Sequence, residues 1–468
     1  MKVIHLISGG DSGGAKTHVL SLLQNLSKTI DVTMVCFMEG PFAQEARELG
    51  IPTEVYPGRN LPRILRLLKK KIRSGGYDLI HCHGARGNLM GVLLRRATGL
   101  PVVTTVHSDY RLDYLGRPFS RISYGTINTL ALRLLDYRIG VSDAMVDLLI
   151  SRGFDPDRLF ALYNGIDFTL PPPAVPRLEY LRSMGLQADE DTVVVGIAAR
   201  LNPVKDISTL IRGFAKAHAS CPNLRLLIAG DGEERSLLEN LTRELGVTRD
   251  VAFAGWLSDT NTFYQSIDIN TLTSLSETFP YALTEGARAS LATVSTRVGG
   301  VPYFIDHGVN GFLFEPGDSD ALARHLVALA RDPVLRKHLG ERLRQKGVAE
   351  YSLESTIQRQ LDIYRTVLRR QARSRTVGRR DGALVCGAYG RGNAGDDAIL
   401  EAIVRELRQI DPDLPVWVLS RTPDDTRMTY RVNSIYTFAF PKFLWRMRKT
   451  RLYINGGGSL VQDVTSPR

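Results

Sequence analysis

Two glutamates stand close together in one stretch of the chain. Glu277 and Glu285 have seven residues between them, within the run 276–290. The alternating residues 268–275 predict a strand and Pro280 predicts a helix start, so Glu277 falls on the intervening loop and Glu285 inside the helix. Loops after parallel strands carry ligand sites, and two carboxylates can accept hydrogen bonds from the hydroxyls of a polyol. A loop acid next to a solvated helix glutamate is the alternative interpretation.

A pair of cations forms a second candidate site. Arg200 and Lys205 lie on the loop between a predicted strand, 192–199, and a predicted helix, 207–217. Two fixed cations near a helix N-terminus can bind a diphosphate without a divalent metal. This suits the cleavage of a sugar-to-phosphate bond, because negative charge grows on the departing diphosphate. Two solvated surface bases are the alternative.

A glycine-rich loop follows the first predicted strand. Gly9-Gly10-Asp11-Ser12-Gly13-Gly14 lies where backbone amides at a helix start can face a phosphate or a sugar. Its spacing differs from the Gly-x-Gly-x-x-Gly dinucleotide fingerprint, so an NAD-linked oxidoreductase is disfavoured for this part of the chain. A plain tight turn is the alternative.

The elements that must position these residues alternate between strand and helix. This alternation is typical of α/β proteins with parallel sheets covered by helices on both faces. It pauses at the proline run 171–173 and restarts near residue 192, which indicates a linker. We predict two doubly wound Rossmann-like domains, a basic linker and an incomplete third Rossmann-like segment. These parts are 1–170, 171–370, 371–381 and 382–468.

Composition limits the possible function classes. The chain has 468 residues, 43% of them hydrophobic, with a net charge of +11 and no apolar run long enough to span a membrane. The N-terminus lacks a secretory signal pattern, and the four cysteines lack metal-ligand spacing, so we expect a reduced, cytoplasmic chain. The basic balance fits phosphorylated substrates or anionic lipid. We find no nucleic-acid-binding motif and expect no nucleic-acid partner.

Several motifs in one frame resemble the retaining glycosyltransferases of family four, also called group 1, over residues 1 to about 370. Those enzymes have the GT-B architecture, in which two Rossmann-like domains face a cleft that holds the active site. The motifs are Arg200 to Lys205, Gly230-Asp231-Gly232, the glutamates Glu277 and Glu285, Gly299-Gly300-Val301-Pro302 and Asn310-Gly311-Phe312-Leu313.

This resemblance implies roles for individual residues. Arg200 and Lys205 are expected to hold the donor diphosphate, and Glu285 the ribose hydroxyls. Glu277, with Thr278 and Phe279 in the same donor-binding stretch, is expected to contact the donor sugar. The remaining implied contacts are His107 near the reacting carbon, with a structural histidine as the alternative, and Gly13 and Gly14 against the phosphate or sugar.

One position departs from the family pattern. Pro280 replaces the usual glycine and donates no backbone hydrogen bond, which leaves the identity of the donor sugar open. No residue stands out as a covalent nucleophile, so front-face and double displacement both remain open. We expect no metal and no cofactor, with a UDP- or GDP-sugar as donor and a glycan or lipid-linked sugar as acceptor in bacterial cell-envelope polysaccharide synthesis.

The tail resembles a second family. Residues 392–399 and 455–463 are similar to the start of the polysaccharide pyruvyl transferases, although Gly390, Gly392 and Gly395 also fit the weak dinucleotide spacing. We expect these 468 residues to lack pyruvyl transferase activity, because the similarity covers only the beginning of that family. Three alternatives to a single glycosyltransferase remain. They are a fragment of a bifunctional enzyme, a nucleotide-sugar 2-epimerase and a non-catalytic sugar-nucleotide-binding module.

The segment 61–73 predicts an amphipathic helix. Its apolar side includes Leu61, Ile64, Leu65, Leu68 and Ile72, and its other side is basic. Such a helix can rest on anionic lipid at the inner face of the plasma membrane, and it can equally pack on a sheet as part of the core.

Overall fold

The computed structural model describes residues 1–9, 14–58, 60–109, 126–277, 281–376 and 380–456. The chain forms two compact units. The first unit contains Met1–Leu162 together with Arg359–Arg468, and the second contains Tyr163–Gln358. The predicted boundaries near residues 170, 370 and 381 stay a prediction, because contacts do not test which parts fold independently.

The first unit is built on a parallel sheet with the strand order β3-β2-β1-β4-β5-β6-β7. The strands are β1 (Lys2–Ile7), β2 (Asp31–Cys36), β3 (Thr53–Val55), β4 (Leu79–His83), β5 (Val102–Val106), β6 (Tyr137–Gly140) and β7 (Leu159–Ala161). The helices are α1 (Gly14–Leu26), α2 (Pro41–Glu48), α3 (Leu61–Gly75), α4 (Gly84–Thr98), α5 (Thr126–Leu134) and α6 (Asp143–Ser151). The predicted parallel α/β architecture is confirmed.

Helix α3 places its apolar side in the core of the first unit. Ile64, Leu68 and Ile72 are buried and pack with residues of the sheet. Asn60 caps the helix, because its side chain accepts from the amide of Arg63 at 3.1 Å. These residues of α3 pack in the core, as the second of our two interpretations of this helix expects, and contact of the helix with lipid stays a prediction. Among the described helices, none is both long and apolar enough to cross a bilayer.

The second unit contains another parallel sheet, in the order β10-β9-β8-β11-β12-β13. Its strands are β8 (Val193–Ala198), β9 (Leu224–Ala229), β10 (Val251–Gly255), β11 (Ile269–Leu272), β12 (Ala292–Thr296) and β13 (Phe312–Phe314). Its helices are α7 (Arg177–Ser183), α8 (Ile207–Ser220), α9 (Arg235–Glu244), α10 (Thr260–Ser266), α11 (Tyr281–Arg288), α12 (Val301–Phe304), α13 (Ser319–Arg331) and α14 (Pro333–Tyr351). Helix α15 (Leu353–Thr376) begins here and continues into the first unit and the predicted linker.

Both sheets contain a point where the strand order reverses. The reversal lies between β1 and β4 in the first unit and between β8 and β11 in the second. Ligands of open parallel sheets bind beyond the carboxyl ends of the strands at such a switch point. A ligand site in the second unit is therefore expected on the loops after β8 and β11.

The tail packs within the first unit. It forms a small parallel sheet in the order β16-β15-β14-β17. Its elements are β14 (Ala383–Cys386), α16 (Ala394–Ile410), β15 (Val416–Ser420), α17 (Pro423–Tyr430), β16 (Asn433–Tyr436), α18 (Phe440–Lys449) and β17 (Leu452–Asn455). Arg431 after α17 bonds Asp143 and, at 2.9 Å, Asp147, both on α6. Charged contacts thus hold the tail against helix α6.

Candidate functional site in the second unit

The loop after β8 carries the two predicted cations. Arg200 is exposed, and its guanidinium makes no hydrogen bond or ion pair with any described residue. Lys205 ends a short 3₁₀ turn, and Asp206 follows with φ of 44°. Asp206 caps α8 by accepting from the amide of Thr209 at 3.3 Å. The turn fixes the backbone of Lys205, while Arg200 stays free to meet a ligand.

The Gly230-Asp231-Gly232 turn after β9 supports this loop. A Cβ on residue 230 would lie 1.8 Å from the carbonyl oxygen of Ala199, and one on residue 232 would lie 2.1 Å from that of Leu201. The amide of Leu201 donates to the carbonyl of Asp231 at 3.0 Å. The two backbones cross so closely that only glycine fits at these two positions.

Lys205 and Glu277 form an ion pair across the switch point. The ammonium of Lys205 bonds Oε1 of Glu277, and Ser274 Oγ donates to the same oxygen at 2.6 Å. The side chains of Lys205 and Glu277 are only 23% and 10% exposed. Thr273 Oγ1 donates to the carbonyl of Lys205 at 2.9 Å. Contacts from both loops therefore hold the pair.

Gly299, after β12, lies directly against the Glu277 loop. Its φ is +50°, and a Cβ there would lie 1.6 Å from the carbonyl oxygen of Glu277. Thr296 Oγ1 donates to the carbonyl of Ser274 at 2.7 Å. The end of β12 and the loop after it thus set the position of the Glu277 backbone.

Glu285 lies on α11 and has a different environment. Thr260 Oγ1, at the start of α10, donates to Oε1 of Glu285 at 3.3 Å. Burial raises the pKa of the Glu285 carboxyl, and the nearby charge of Arg288 opposes this. A partly desolvated carboxylate with spare lone pairs is a strong acceptor for ligand hydroxyls.

Some predicted residues cannot be placed. Gly13, Thr278, Phe279 and Pro280 lie outside the described residues. Gly14 is the first residue of α1, and nothing further is described of it. The roles predicted for these five positions stay predictions.

His107 lies in the first unit, just after β5. Its Nε2 is 3.4 Å from Nδ1 of His83, and its ring meets that of His18 edge-on at 5.7 Å between centroids. Burial lowers the pKa of His107 to about 4, so the ring is neutral near pH 7. The alternative of a purely structural histidine is not tested by these contacts.

The structure brings Lys205 and Glu277 into direct contact, with Arg200 on the same loop as Lys205. Glu285 contacts the start of α10 instead, and the predicted crevice between the two domains stays a prediction. Sequence reasoning missed Thr273 and Ser274, whose hydroxyls hold the pair. Their signal was the run of hydroxyl residues where β11 ends.

Among the described residues, one group of three could be compared with a metal site. It consists of His5, His81 and His83 in the first unit. Each of their ring nitrogens is already hydrogen-bonded to another side chain, so none has a lone pair free for a metal. The expected independence of metals and cofactors stays a prediction.

Family models match most of the chain. A model described as Glycosyltransferase Family 4 matches residues 12–170, and one described as Glycosyl transferases group 1 matches residues 184–346. The chain belongs to the group 1, family four glycosyltransferases. A third model, Polysaccharide pyruvyl transferase, matches residues 393–467 of this glycosyltransferase, in the tail.

Relatives agree with this assignment. The glycosyltransferase is 27% identical over 346 residues to the putative glycosyltransferase EpsD of Bacillus subtilis, covering 72% of this chain and 89% of that protein. It is 23% identical over 353 residues to the UDP-Gal:alpha-D-GlcNAc-diphosphoundecaprenol alpha-1,3-galactosyltransferase of Escherichia coli, with 72% and 89% covered. The crystal structure of Anabaena HepE in complex with UDP has the same fold, with a TM-score of 0.66, 21% identity and coverage of 78% and 100%.

Proposed function

We propose that this glycosyltransferase moves a sugar from a UDP- or GDP-sugar to a glycan or lipid-linked acceptor, with retention of configuration. The observation that carries the proposal is the Lys205–Glu277 pair at the β8/β11 switch point, with Arg200, which pairs with no described residue, on the loop of Lys205. This combination offers two cations to a diphosphate and a carboxylate to sugar hydroxyls.

The transfer step follows from these charges. As the bond between the anomeric carbon and the diphosphate breaks, the electron pair leaves with the phosphate oxygen, where Lys205 and Arg200 stabilise the charge. Over the whole reaction the acceptor hydroxyl oxygen becomes bonded to the anomeric carbon, and its proton goes to the released diphosphate. The ammonium of Lys205 then donates hydrogen bonds to both Glu277 and the diphosphate. Glu277 accepts from hydroxyls of the donor sugar, Glu285 accepts from the ribose, and His107 contacts the transferred sugar. No residue of this set is assigned as a covalent nucleophile, so front-face and double displacement both stay open.

The comparisons support the substrate classes. The Escherichia coli relative is named for a UDP-sugar donor and a diphosphoundecaprenol-linked acceptor, and the Anabaena neighbour binds UDP. The match of the tail to the pyruvyl transferases adds a second link to polysaccharides. We therefore extend the proposal to bacterial cell-envelope polysaccharide synthesis in the cytoplasm, without a required metal. Full transfer in the presence of EDTA would support the last point, and loss of transfer would refute it.

Contact with anionic lipid remains part of the proposal in a changed form. Because the apolar side of α3 is in the core, only its basic face can contribute, through residues such as Arg66, Lys69 and Lys70. The triple variant of these residues to Gln should reduce flotation with anionic liposomes. Equal flotation of both proteins, or equal flotation with neutral lipid, would remove lipid contact from the proposal.

A panel of nucleotide-sugars screened by thermal shift tests the donor site. A donor present at 100 times its Kd stabilises the folded state by about 2.7 kcal/mol. Lys205→Ala and Glu285→Ala should abolish the shift that the correct donor produces. Lys216→Ala, which removes an exposed pair with Asp320, should leave it unchanged. Full shifts in both site variants would show that the site is assigned wrongly.

A further inference from the structure

Three buried histidines occupy the switch point of the first sheet. His5 lies on β1, and His81 and His83 lie on β4, the strand beside it. Their exposures are 0%, 0% and 3%. Burying a polar ring at the centre of a parallel sheet costs free energy unless the ring is hydrogen-bonded, so each of these histidines is expected to have a partner.

His81 and His5 are joined through one tyrosine. Nε2 of His81 is 2.8 Å from Oγ1 of Thr105, and its Nδ1 is 2.7 Å from the hydroxyl of Tyr364. The same hydroxyl is 3.3 Å from Nε2 of His5. Tyr364 lies on the part of α15 that belongs to the first unit, and its side chain is fully buried.

The contacts continue toward His107. Nδ1 of His5 is 3.1 Å from Nε2 of His83, and Nδ1 of His83 is 3.4 Å from Nε2 of His107. The result is one continuous series of hydrogen-bonded side chains. We call it the histidine chain, and its members in order are Thr105, His81, Tyr364, His5, His83 and His107.

The histidine chain couples the tautomers of its four rings. Burial lowers the pKa of His5 to about 3 and that of His107 to about 4, and it holds those of His81 and His83 well below the usual value. Each ring is therefore neutral and has one N–H and one acceptor nitrogen.

Only two arrangements satisfy every link and also give the Tyr364 hydroxyl hydrogen an acceptor. If Tyr364 donates to His5, all four rings carry their proton on Nδ1. If Tyr364 donates to His81, all four carry it on Nε2. A mixture among His5, His83 and His107 places two N–H groups or two lone pairs face to face, and a mixture across Tyr364 leaves its hydroxyl hydrogen or one ring nitrogen without a partner in the core.

We propose that the histidine chain holds His107 in one tautomer by coupling it to those of His5, His81 and His83, and that Tyr364, His5 and His83 are positioning residues for sugar transfer. The proposal rests on the proposed function, in which His107 contacts the transferred sugar. The ring of His18, next to His107, indicates that a ligand binds at the His107 end of the histidine chain. His18 is buried, and its Nε2 has no hydrogen-bond partner among the described residues.

Nitrogen-15 NMR of the full chain with labelled histidine tests the coupling without any activity assay, because the two ring nitrogens of each tautomer have different shifts. We expect His5, His81, His83 and His107 to share one tautomer in the wild-type protein. Tyr364→Phe keeps the packed ring but removes the central hydroxyl, so His81 should no longer follow the other three rings. The matched control is Tyr351→Phe, which removes a buried hydroxyl 3.4 Å from the carbonyl of Tyr303 in the second unit. It should change no histidine signal.

Kinetics test the consequence for transfer. Tyr364→Phe should lower kcat by at least about tenfold with little change in the donor KM, because without the central hydroxyl His107 is no longer held in one tautomer. Different tautomers among the four wild-type rings, one bound metal ion per chain by elemental analysis, or equal kcat in Tyr364→Phe and Tyr351→Phe would each overturn the proposal. Shared tautomers in a protein that transfers no sugar from any donor would instead refute the proposed function, leaving the coupling intact.

Discussion

The two units contain the same reversal of strand order but fill it with different chemistry. At β1/β4 in the first unit, neutral histidines lie inside the strands and bond one another. At β8/β11 in the second unit, an ammonium and a carboxylate lie on the loops beyond the strands. The first arrangement is polar without charge, and the second is charged.

Depth in the sheet explains this difference. A group inside a central strand is removed from water, and burial there favours whichever form is uncharged. A loop beyond the strands retains partial access to solvent, so Lys205 and Glu277 can stay ionised while they hold each other. The strand order thus determines where a ligand can bind. The depth of a side chain in the sheet determines whether the ligand meets a charged group or a neutral group with a fixed proton position.

The largest expected effect comes from removing the ammonium of Lys205. Lys205→Met keeps most of the side-chain bulk but leaves the departing diphosphate one cation short. We expect kcat for sugar transfer to fall by about 10²–10³, as for other lost transition-state donors. Lys216→Met, at an exposed ion pair, is the matched control. Steady-state rates within about threefold of wild type would mean that charge at the second switch point is not used for transfer.

A smaller effect is expected from the backbone that places Glu277. In Gly299→Ala, the new Cβ would overlap the carbonyl oxygen of Glu277, so the loop must move. Gly317→Ala has a similar positive φ of +80° but open space around the new atom. Both variants should lose about 1–2 kcal/mol of stability from backbone strain. Only Gly299→Ala should also lose the donor-induced thermal shift, and equal shifts in the two variants would contradict this.

Part of the fold and part of the site could be predicted from the sequence. Parallel sheets followed from alternating strands and helices, and the predicted strand 192–199 contains β8, Val193–Ala198. The sequence also predicted that the cations and acids of the site lie near one another, because the loops after parallel strands lie at one edge of a sheet. The ion pair itself joins residues 72 positions apart, and the hydroxyl of Tyr364 meets a ring 283 positions earlier. No local pattern encodes such contacts.

Helix α3 illustrates a second limit. Its spacing of apolar residues is the same for a helix that lies on lipid and for one that packs on a sheet. Only the tertiary structure, which buries Ile64, Leu68 and Ile72, separates the two. The histidines were missed for a related reason, since isolated histidines in buried strands have no recognisable spacing.

The stability of the first unit, whose β1/β4 switch point contains neutral histidines, should depend on pH. The folded-state pKa of His5 is about 3, below the ordinary 6.5, so the unfolded chain binds the proton more readily. Stability from His5 is therefore complete above pH 6.5 and is lost as the pH falls toward 3. At pH 5.5 the loss is about 1.4 kcal/mol for this ring.

His5→Gln should reduce the pH dependence of stability between pH 7.5 and 5.5 by that amount, measured by hydrogen exchange of the β1 and β4 peptides in urea. Ile4→Val, a neighbouring core change without a titrating group, is the control. Equal slopes in wild type and His5→Gln would contradict a neutral buried ring.

The smallest effect compares one hydroxyl at each switch point. Ser274 donates to a carboxylate at 2.6 Å, whereas Thr105 bonds a neutral imidazole at 2.8 Å. Hydrogen bonds to charged groups contribute about 1.5–3 kcal/mol and neutral ones about 0.5–1.5 kcal/mol. Ser274→Ala should therefore cost its unit more stability than Thr105→Val costs the other, by about 1 kcal/mol in local hydrogen exchange. Equal losses would mean that solvent screens the Glu277 charge. A hydrogen bond to Glu277 would then be no stronger than one to a neutral ring in the core.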